Sequence, residues 1–305
     1  MYELIKNKSA IKFRIETLQK AIINSRVFLP KDLSKFIFIC GANKSEHLVS
    51  ERRRAIMAFA KTNLPHTQFF LAEKMFLTLQ KEGHKANILD IEHEISKFAD
   101  KILIVLESPS TFTELGAFSY AELRNKLIVI NDAKFKSSLS FINLGPLKAI
   151  EDASSKDNLI HYKMSEDGIH KLDAIGEVFN SLYELLKEPI KTKASSIDLD
   201  SCNPAKKFDK FSAMFVHDLL YLAGPLIHKE IIELLKLVFG KKENFKLSEH
   251  LAILVAFESI SRNEKGLYKS NRGKTFYEYK FDIGNVISTF RNYTLKHFPE
   301  RIYEY

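Results

Sequence analysis

The sequence predicts an α/β domain with a parallel sheet, followed by a smaller domain of helices and a hairpin. Three observations carry this. Short apolar runs such as Phe36–Cys40 and Lys101–Leu106 read as strands buried on both faces, as parallel strands are. Helical stretches alternate with them, which is the pattern of right-handed crossovers. After a stretch without periodicity the pattern changes to consecutive helices and a segment dense in Tyr, Lys and Thr.

Residues 1–30 predict one or two amphipathic helices, with Ile5, Ile11, Leu18, Ile22 and Ile23 on the apolar face and Pro30 as the stop. The first strand is Phe36–Cys40, closed by Gly41. Ser50 is placed to cap a helix through Lys61. Gln68–Leu71 is a short strand, Asn87–Phe98 a helix and Lys101–Leu106 a second buried strand. Thr113–Asn125 is expected to be helical, Leu127–Ile130 a further strand, Leu159–Met164 the last strand, and Gly168–Glu188 a long helix. Together, residues 31–188 predict a Rossmann-like (flavodoxin-like) sheet domain. Residues 189–205, with two prolines and a serine pair, read as a linker. Residues 206–305 then predict helices at Phe208–Ala223, Leu226–Phe239 and Leu247–Ser261, a β-hairpin over Gly266–Phe281 centred on Asn271–Lys274, and a last helix at Ile283–His297. Three helices and a hairpin describe a winged helix.

Composition narrows the function classes. The 305 residues are 45% apolar and 28% charged, the balance of a globular chain. No apolar stretch approaches the ~20 residues of a membrane span, and the N-terminus lacks a signal-peptide core. Two cysteines make neither a disulfide framework nor a four-cysteine zinc site, so a cytoplasmic location is expected. The ten histidines show no paired metal-ligand spacing, so no metal is expected. The net charge of +8 is uneven: +4 in residues 1–30, −1 in 31–200 and +5 in 201–305. A neutral body with basic ends suits a small-molecule site flanked by polyanion-binding surfaces.

Two strand ends carry the candidate chemistry, because a parallel sheet binds ligands outside its carboxyl edge. At the first, Gly41 allows close backbone approach, Asn43 and Ser45 suit ribose or phosphate, and at least one of Arg52, Arg53 and Arg54 could face a phosphate. At the second, Glu107 ends a buried strand, Ser108, Ser110 and Thr111 form a hydroxyl-rich loop, and Glu114 is expected in the first turn of the next helix. Gly116 would let that helix pack closely on the sheet. Paired carboxylates beside such a nest suit glycosidic cleavage, whose transition state resembles an oxocarbenium ion. Asp132 is a pocket candidate by position. Asp90, Glu92 and Glu94 read as a solvated face, with Glu94 within reach of the rim; Cys40, Met57, Met75 and Phe76 read as core. In the second domain Lys269, Arg272 and Lys274 would sit at the tip of the wing, interleaved with Tyr268, Phe276, Tyr277 and Tyr279, to meet phosphates and bases.

The run Glu107-Ser-Pro-Ser-Thr followed by Glu114-Leu-Gly-Ala-Phe118 resembles the nucleoside deoxyribosyltransferase-like and SLOG-type nucleotide-processing domains. By that resemblance Glu114 falls on the catalytic glutamate and Ser110-Thr111 on a Gly-Thr pair, with Ser110 a departure from glycine. Ser140–Gly145 matches the SLOG-like defence domains better than the transferases. With the N-terminal helices and the winged helix, the whole chain resembles the effector proteins of bacterial retrons. The resemblance implies an N-glycosidase with NAD as substrate and no cofactor. It implies reverse transcriptase and its multicopy single-stranded DNA as restraining partners, and it allows a higher-order assembly. The rivals are a nucleotide-sensing DNA-binding regulator and a salvage deoxyribosyltransferase.

Overall fold

The computed structural model describes residues 9–46, 48–81, 92, 93, 95, 96, 98–193, 195–241 and 243–303. The predicted helix Asn87–Phe98 therefore lies largely outside the described residues, with Asp90 and Glu94, and so does the Met75 side chain. The chain divides into two units. One holds Asp32–Ala72 and Ala86–Ile190; the other holds Met1–Lys31, Glu73–Lys85 and Lys191–Tyr305.

The first unit is built on five parallel strands: β1 (Lys35–Cys40), β2 (Thr67–Phe70), β3 (Lys101–Val105), β4 (Leu127–Asp132) and β5 (Leu159–Tyr162). Their order is β2-β1-β3-β4-β5. This is the flavodoxin-type order, whose direction of winding reverses between β1 and β3. β4 is buried at every position, and β1 and β3 at all but the first, because helices cover both faces. On one face Ile37, Ile39, Leu103, Val105, Ile128 and Ile130 pack with Ile56 of α1 (Glu51–Asn63) and with Leu182 and Leu186 of α3 (Phe179–Leu186). Elsewhere in the unit Phe38 stacks on Phe70 at 5.4 Å and meets the edge of Phe118, on α2 (Pro109–Phe118), at 5.9 Å. Cys40 and Cys202 are both buried, and burial pushes the Cys202 thiol up to about 12.

Two helices of this unit differ from expectation, and in the second unit the helix expected over Leu247–Ser261 ends at Ala256. α2 starts at Pro109 rather than Thr113 and ends at Phe118 rather than Asn125. Proline at the first helical position is pre-set for a helix start and has no N–H to leave orphaned. Glu114 consequently lies in the second turn. Gly116 is exposed with open space around it, so it is not a packing contact. The predicted helix Gly168–Glu188 is helical only from Ile175: a 3-10 turn through Val178 leads into α3. Asp173 accepts the Ile175 N–H at 3.1 Å and sets that start.

In the second unit the N-terminal helix Ser9–Ile23 buries Ile11, Ile15, Leu18 and Ile22, whereas Ile23 is 60% exposed. It packs on α5 (His228–Phe239) and α7 (Gly284–His297). The central helix α4 (Lys210–Ala223) is buried along almost its whole length and is capped by Asp209, which accepts the Ser212 N–H. The stretch 189–205, read as a linker, is anchored in part: Ile197 N–H donates to Val27 O, Thr192 donates to Pro30 O, and Cys202 and Asn203 are buried.

β6 (Leu226–Ile227) separates α4 from α5; α6 (Leu247–Ala256) leads to β7 (Ile260–Arg262) and β8 (Leu267–Ser270). The antiparallel sheet order is β6-β8-β7. The hairpin therefore turns at Asn263–Gly266, not at Asn271–Lys274. Gly266 takes φ +76°, and Asn263 Oδ1 accepts the Leu267 N–H at 2.9 Å. An Asn–Gly pair supplies the turn chemistry here, while the Arg-Gly centre chosen from the sequence does not lie between paired strands. Glu278–Tyr279 pairs instead with Val27–Phe28. Arg272 is consequently half-buried, stacks over Phe276 at 3.9 Å and has its basicity lowered by burial; Lys274 is exposed and Lys269 half-buried in β8. The segment after β8 is held by Asp218, fully buried on α4. It accepts from the Phe276 and Tyr277 N–H groups (2.7 and 2.9 Å) and from the Tyr279 hydroxyl (3.1 Å).

His250 of α6 is fully buried, its Nδ1 donating to Lys246 O at 2.6 Å. Desolvation pushes its pKa down to about 4, against the opposing pull of that carbonyl. A histidine kept neutral in the fold costs stability once the unfolded chain can be protonated. The contribution is thus whole above about 6.5 and lost as pH falls towards 4. The loss should reach about 3 kcal/mol. Urea denaturation at pH 7 and 4.5 of wild type and His250→Leu checks this. The variant should be weaker at pH 7 and show the smaller drop; equal drops would assign the acid sensitivity to other groups.

Candidate active site at the carboxyl edge of the sheet

The reversal point between β1 and β3 is where the two candidate loops meet. β1 runs into Gly41-Ala42, and β3 runs into Glu107. The Ala42 N–H donates to Glu107 Oε1 at 2.9 Å, and the Ser50 hydroxyl donates to the same oxygen at 2.6 Å. Ser50 does this while capping α1, where it accepts the Arg53 N–H at 3.2 Å. Glu107 Oε2 pairs with Arg52 Nη1 at 3.2 Å. The Glu107 side chain is 0% exposed. Burial pushes its pKa up, and the bonds from Ser50, Ala42 and Arg52 pull it back.

Arg52 is the hub. Its Nη2 pairs with Asp173 Oδ2 at 2.7 Å and donates to Ser165 O at 2.5 Å; its Nε meets the Tyr162 hydroxyl at 2.8 Å. Tyr162 in turn donates to Asp173 at 3.1 Å. Burial raises the Tyr162 pKa above its ordinary value, so the phenol stays a donor. Gly168 completes the cage: a Cβ there would lie 2.2 Å from Arg52 Nη2 and 2.6 Å from Asp173 Oδ2. Gly41 has the same role on the other side, where a Cβ would lie 2.4 Å from Arg53 Cδ and 2.8 Å from Glu107 Oε1. Arg53, also buried, ties off the end of β1, donating to Ile39 O (3.0 Å), Gly41 O (3.1 Å) and Asn43 Oδ1 (3.1 Å). Arg54 is the exposed member of the triplet and pairs with Glu51. Arg52 and Arg53 are thus engaged with the protein itself.

The hydroxyl loop divides by role. Thr111 is buried; its Oγ1 accepts from the Glu107 and Ser108 N–H groups, both at 3.2 Å, and donates to Ser108 O. It shapes the loop. Ser108 and Ser110 share a bond of 2.8 Å; Ser108 is half-buried and Ser110 exposed. Glu114, four residues after Ser110, is on the same helical side and half-buried. Asn43 and Ser45 lie exposed in a short hairpin with Leu48–Val49. Asp132 ends β4 and is buried. It accepts from the Lys134 and Met164 N–H groups and pairs with Lys134 Nζ at 3.0 Å. Burial favours its acid form, but these partners together hold its pKa below the ordinary value.

Sequence reasoning missed Tyr162, Gly168 and Asp173. The signal for them was weak: a glycine and an aspartate in what looked like a helix. Among the described residues no group of His, Cys, Asp and Glu could hold a metal ion. No helix among them is long and apolar enough to cross a membrane.

Three similarities bear on this site. Residues 49–262 match the model of a family described as "STM3845 retron effector protein". A protein of Escherichia coli named "Retron Ec73 putative ribosyltransferase/DNA-binding protein" is 39% identical over 311 residues, covering 99% of this chain and 98% of its own length. A second, named "Retron Ec86 putative ribosyltransferase/DNA-binding protein", is 40% identical over 124 residues, covering 40% of this chain and 39% of its own length.

Proposed function

The chain belongs to the STM3845 retron effector family, and on that premise we propose that its parallel-sheet unit cleaves the N-glycosidic bond of NAD or a related nucleotide. The observation that carries the reading is the meeting of the Glu107 and Gly41 loops at the β1/β3 reversal, with an accessible hydroxyl pair and Glu114 beside them. The two carboxylates take different roles. Glu107 is sealed, with both oxygens engaged, and positions the loops. Glu114 is the catalytic carboxylate. It stabilises or attacks the anomeric carbon as the nicotinamide nitrogen leaves with the bonding electrons. Water then supplies the oxygen at that carbon and its proton passes to the carboxylate. Ser108, Ser110 and Asn43 hold the ribose and phosphates.

The helix and strand order α4-β6-α5-α6-β7-β8 supports a winged helix in the second unit. The relatives named as DNA-binding support nucleic-acid contact there. In this reading reverse transcriptase and its multicopy DNA restrain the enzyme until phage infection disturbs them.

Purified protein incubated with NAD tests the activity. Nicotinamide and free ADP-ribose are expected. Nicotinamide with ADP-ribose attached to an acceptor would make the protein a transferase, as the relatives' names have it. Intact NAD would remove NAD as the substrate, and no base released from other nucleotides either would overturn the reading.

A further inference from the structure

In the second unit the N-terminal helix Ser9–Ile23 and α7 lie side by side and run antiparallel. Arg26 Nη2 donates to Lys280 O at 2.7 Å near the end of the first helix and the start of the second. Further along, Arg14 Nε donates to Thr289 Oγ1 at 3.2 Å. A groove of about 450 Å³ there is lined by Ala10, Lys12, Phe13, Arg14, Glu16 and Thr289. We propose that it binds single-stranded nucleic acid, with Phe13 stacking on a base and Arg14 and Lys296 meeting phosphates.

The charge suits a polyanion. The two helices carry Lys12, Arg14, Lys20, Arg291 and Lys296 against a single acid, Glu16, which meets Lys12 at 3.8 Å. Among the described residues neither Arg14 nor Lys296 is in an ion pair, and Arg14 commits only its Nε to the protein by hydrogen bonding. Phe13 is 58% exposed, the one Phe or Tyr among the described residues of this unit that is mostly open to solvent. Such a ring contributes little to the core but offers a face to an unpaired base, and the Arg14 guanidinium lies 5.6 Å from its centroid. On α7, Thr289, Asn292 and Lys296 recur at helical spacing on one stripe. Asn292 and Lys296, both exposed, therefore continue the wall beyond Thr289.

A duplex hides its base faces, so an aromatic platform selects unpaired ones. The helix that would read a duplex groove in the winged-helix order is α6, and none of its residues is exposed. The groove thus takes over the nucleic-acid contact proposed for this unit, and rests on that reading.

The full chain is titrated across a salt series with a mixed-sequence 20-mer strand, its duplex, and a polyglutamate peptide of like charge. The strand should bind most tightly. Phe13→Ala should weaken strand binding about five- to 150-fold and leave the salt slope unchanged. Arg14→Gln/Lys296→Gln should lower the slope by about 1.4, at about 0.7 for each single-strand phosphate contact. Lys274→Glu, outside the groove, should bind as wild type. Melting temperatures should stay within a degree or two, and NAD cleavage, assigned to the other unit, should be unchanged in every variant. Strand binding at wild-type strength in both groove variants would overturn the groove and leave the nucleic-acid reading standing. Loss in Lys274→Glu alone would overturn it too and return the contact to the segment after β8. Tighter binding of the duplex, or equal binding of the peptide, would also overturn it. Binding of neither strand nor duplex would remove the nucleic-acid reading together with the groove.

Discussion

Glu114→Gln should lower NAD cleavage by about 10²–10⁴-fold or more while leaving the melting temperature within a degree or two of wild type. The substitution is isosteric and removes only the charge. Glu114 is half-buried on the second turn of α2, whereas Glu107, Arg52 and Asp173 are held together by buried ion pairs. Stability should therefore not report its loss. Glu107→Gln is the necessary comparison. There the new amide would turn either an N–H group towards the Arg52 guanidinium or its donors towards the Ala42 N–H and Ser50 hydroxyl. Activity and stability should fall together. Nicotinamide release measured beside thermal melting separates the two cases. Wild-type turnover in Glu114→Gln would remove it as the catalytic carboxylate. Lost turnover with an unchanged melt in Glu107→Gln would move the chemistry to Glu107.

Much of the parallel sheet was legible because buried strands write themselves as apolar runs. Phe36–Cys40 and Lys101–Leu106 differ from the observed β1 and β3 by one residue each, at the start of the first and the end of the second. Strand polarity placed the Gly41 and Glu107 loops on one edge of the sheet, and the strand order, with β1 beside β3, brings them together. Helix starts were less legible, because local chemistry sets them. Pro109 moved α2 by one turn, and that changed Glu114 from a dipole-favoured position to an interior one. Periodicity could not show that 168–174 is a loop, since its purpose is tertiary: Gly168 makes room for Arg52, and Asp173 neutralises it. An arginine triplet on a helix reads as a phosphate site in sequence. Burial shows that two of the three are braces.

The hairpin was misplaced for a related reason. Alternating aromatic and basic residues over 266–281 look like paired strands. The segment instead wraps onto Asp218, whose carboxylate replaces a neighbouring strand as acceptor for the Phe276 and Tyr277 N–H groups. A buried carboxylate on a helix leaves no mark in the pattern of the segment it holds. The outcome bears on function: Lys269 and Lys274 are not neighbours on one tip, and Arg272 is largely committed to Phe276.

Arg52→Ala should cost about 3–5 kcal/mol, because it strands two buried carboxylates, Glu107 and Asp173, that are 0% and 5% exposed. The loss should lower the melting transition of the parallel-sheet unit by roughly 10 °C. Arg52→Lys should recover only part of it. An ammonium is a point donor and cannot reach Glu107, Asp173, Tyr162 and Ser165 O at once, as the planar fork does. The sharper test is the cycle with Glu107→Gln. If the cost of losing Arg52 is mainly an uncompensated charge, removing one of the stranded charges should relieve it. The double variant should then be more stable than the sum of the single losses predicts, by about 1 kcal/mol or more. Strictly additive losses would mean that Arg52 acts through packing against Gly168 and not through its ion pairs. Nucleotide cleavage measured on the same set should follow stability, since these side chains are buried and engaged with one another; activity lost in a variant that melts like wild type would place Arg52 in contact with the substrate.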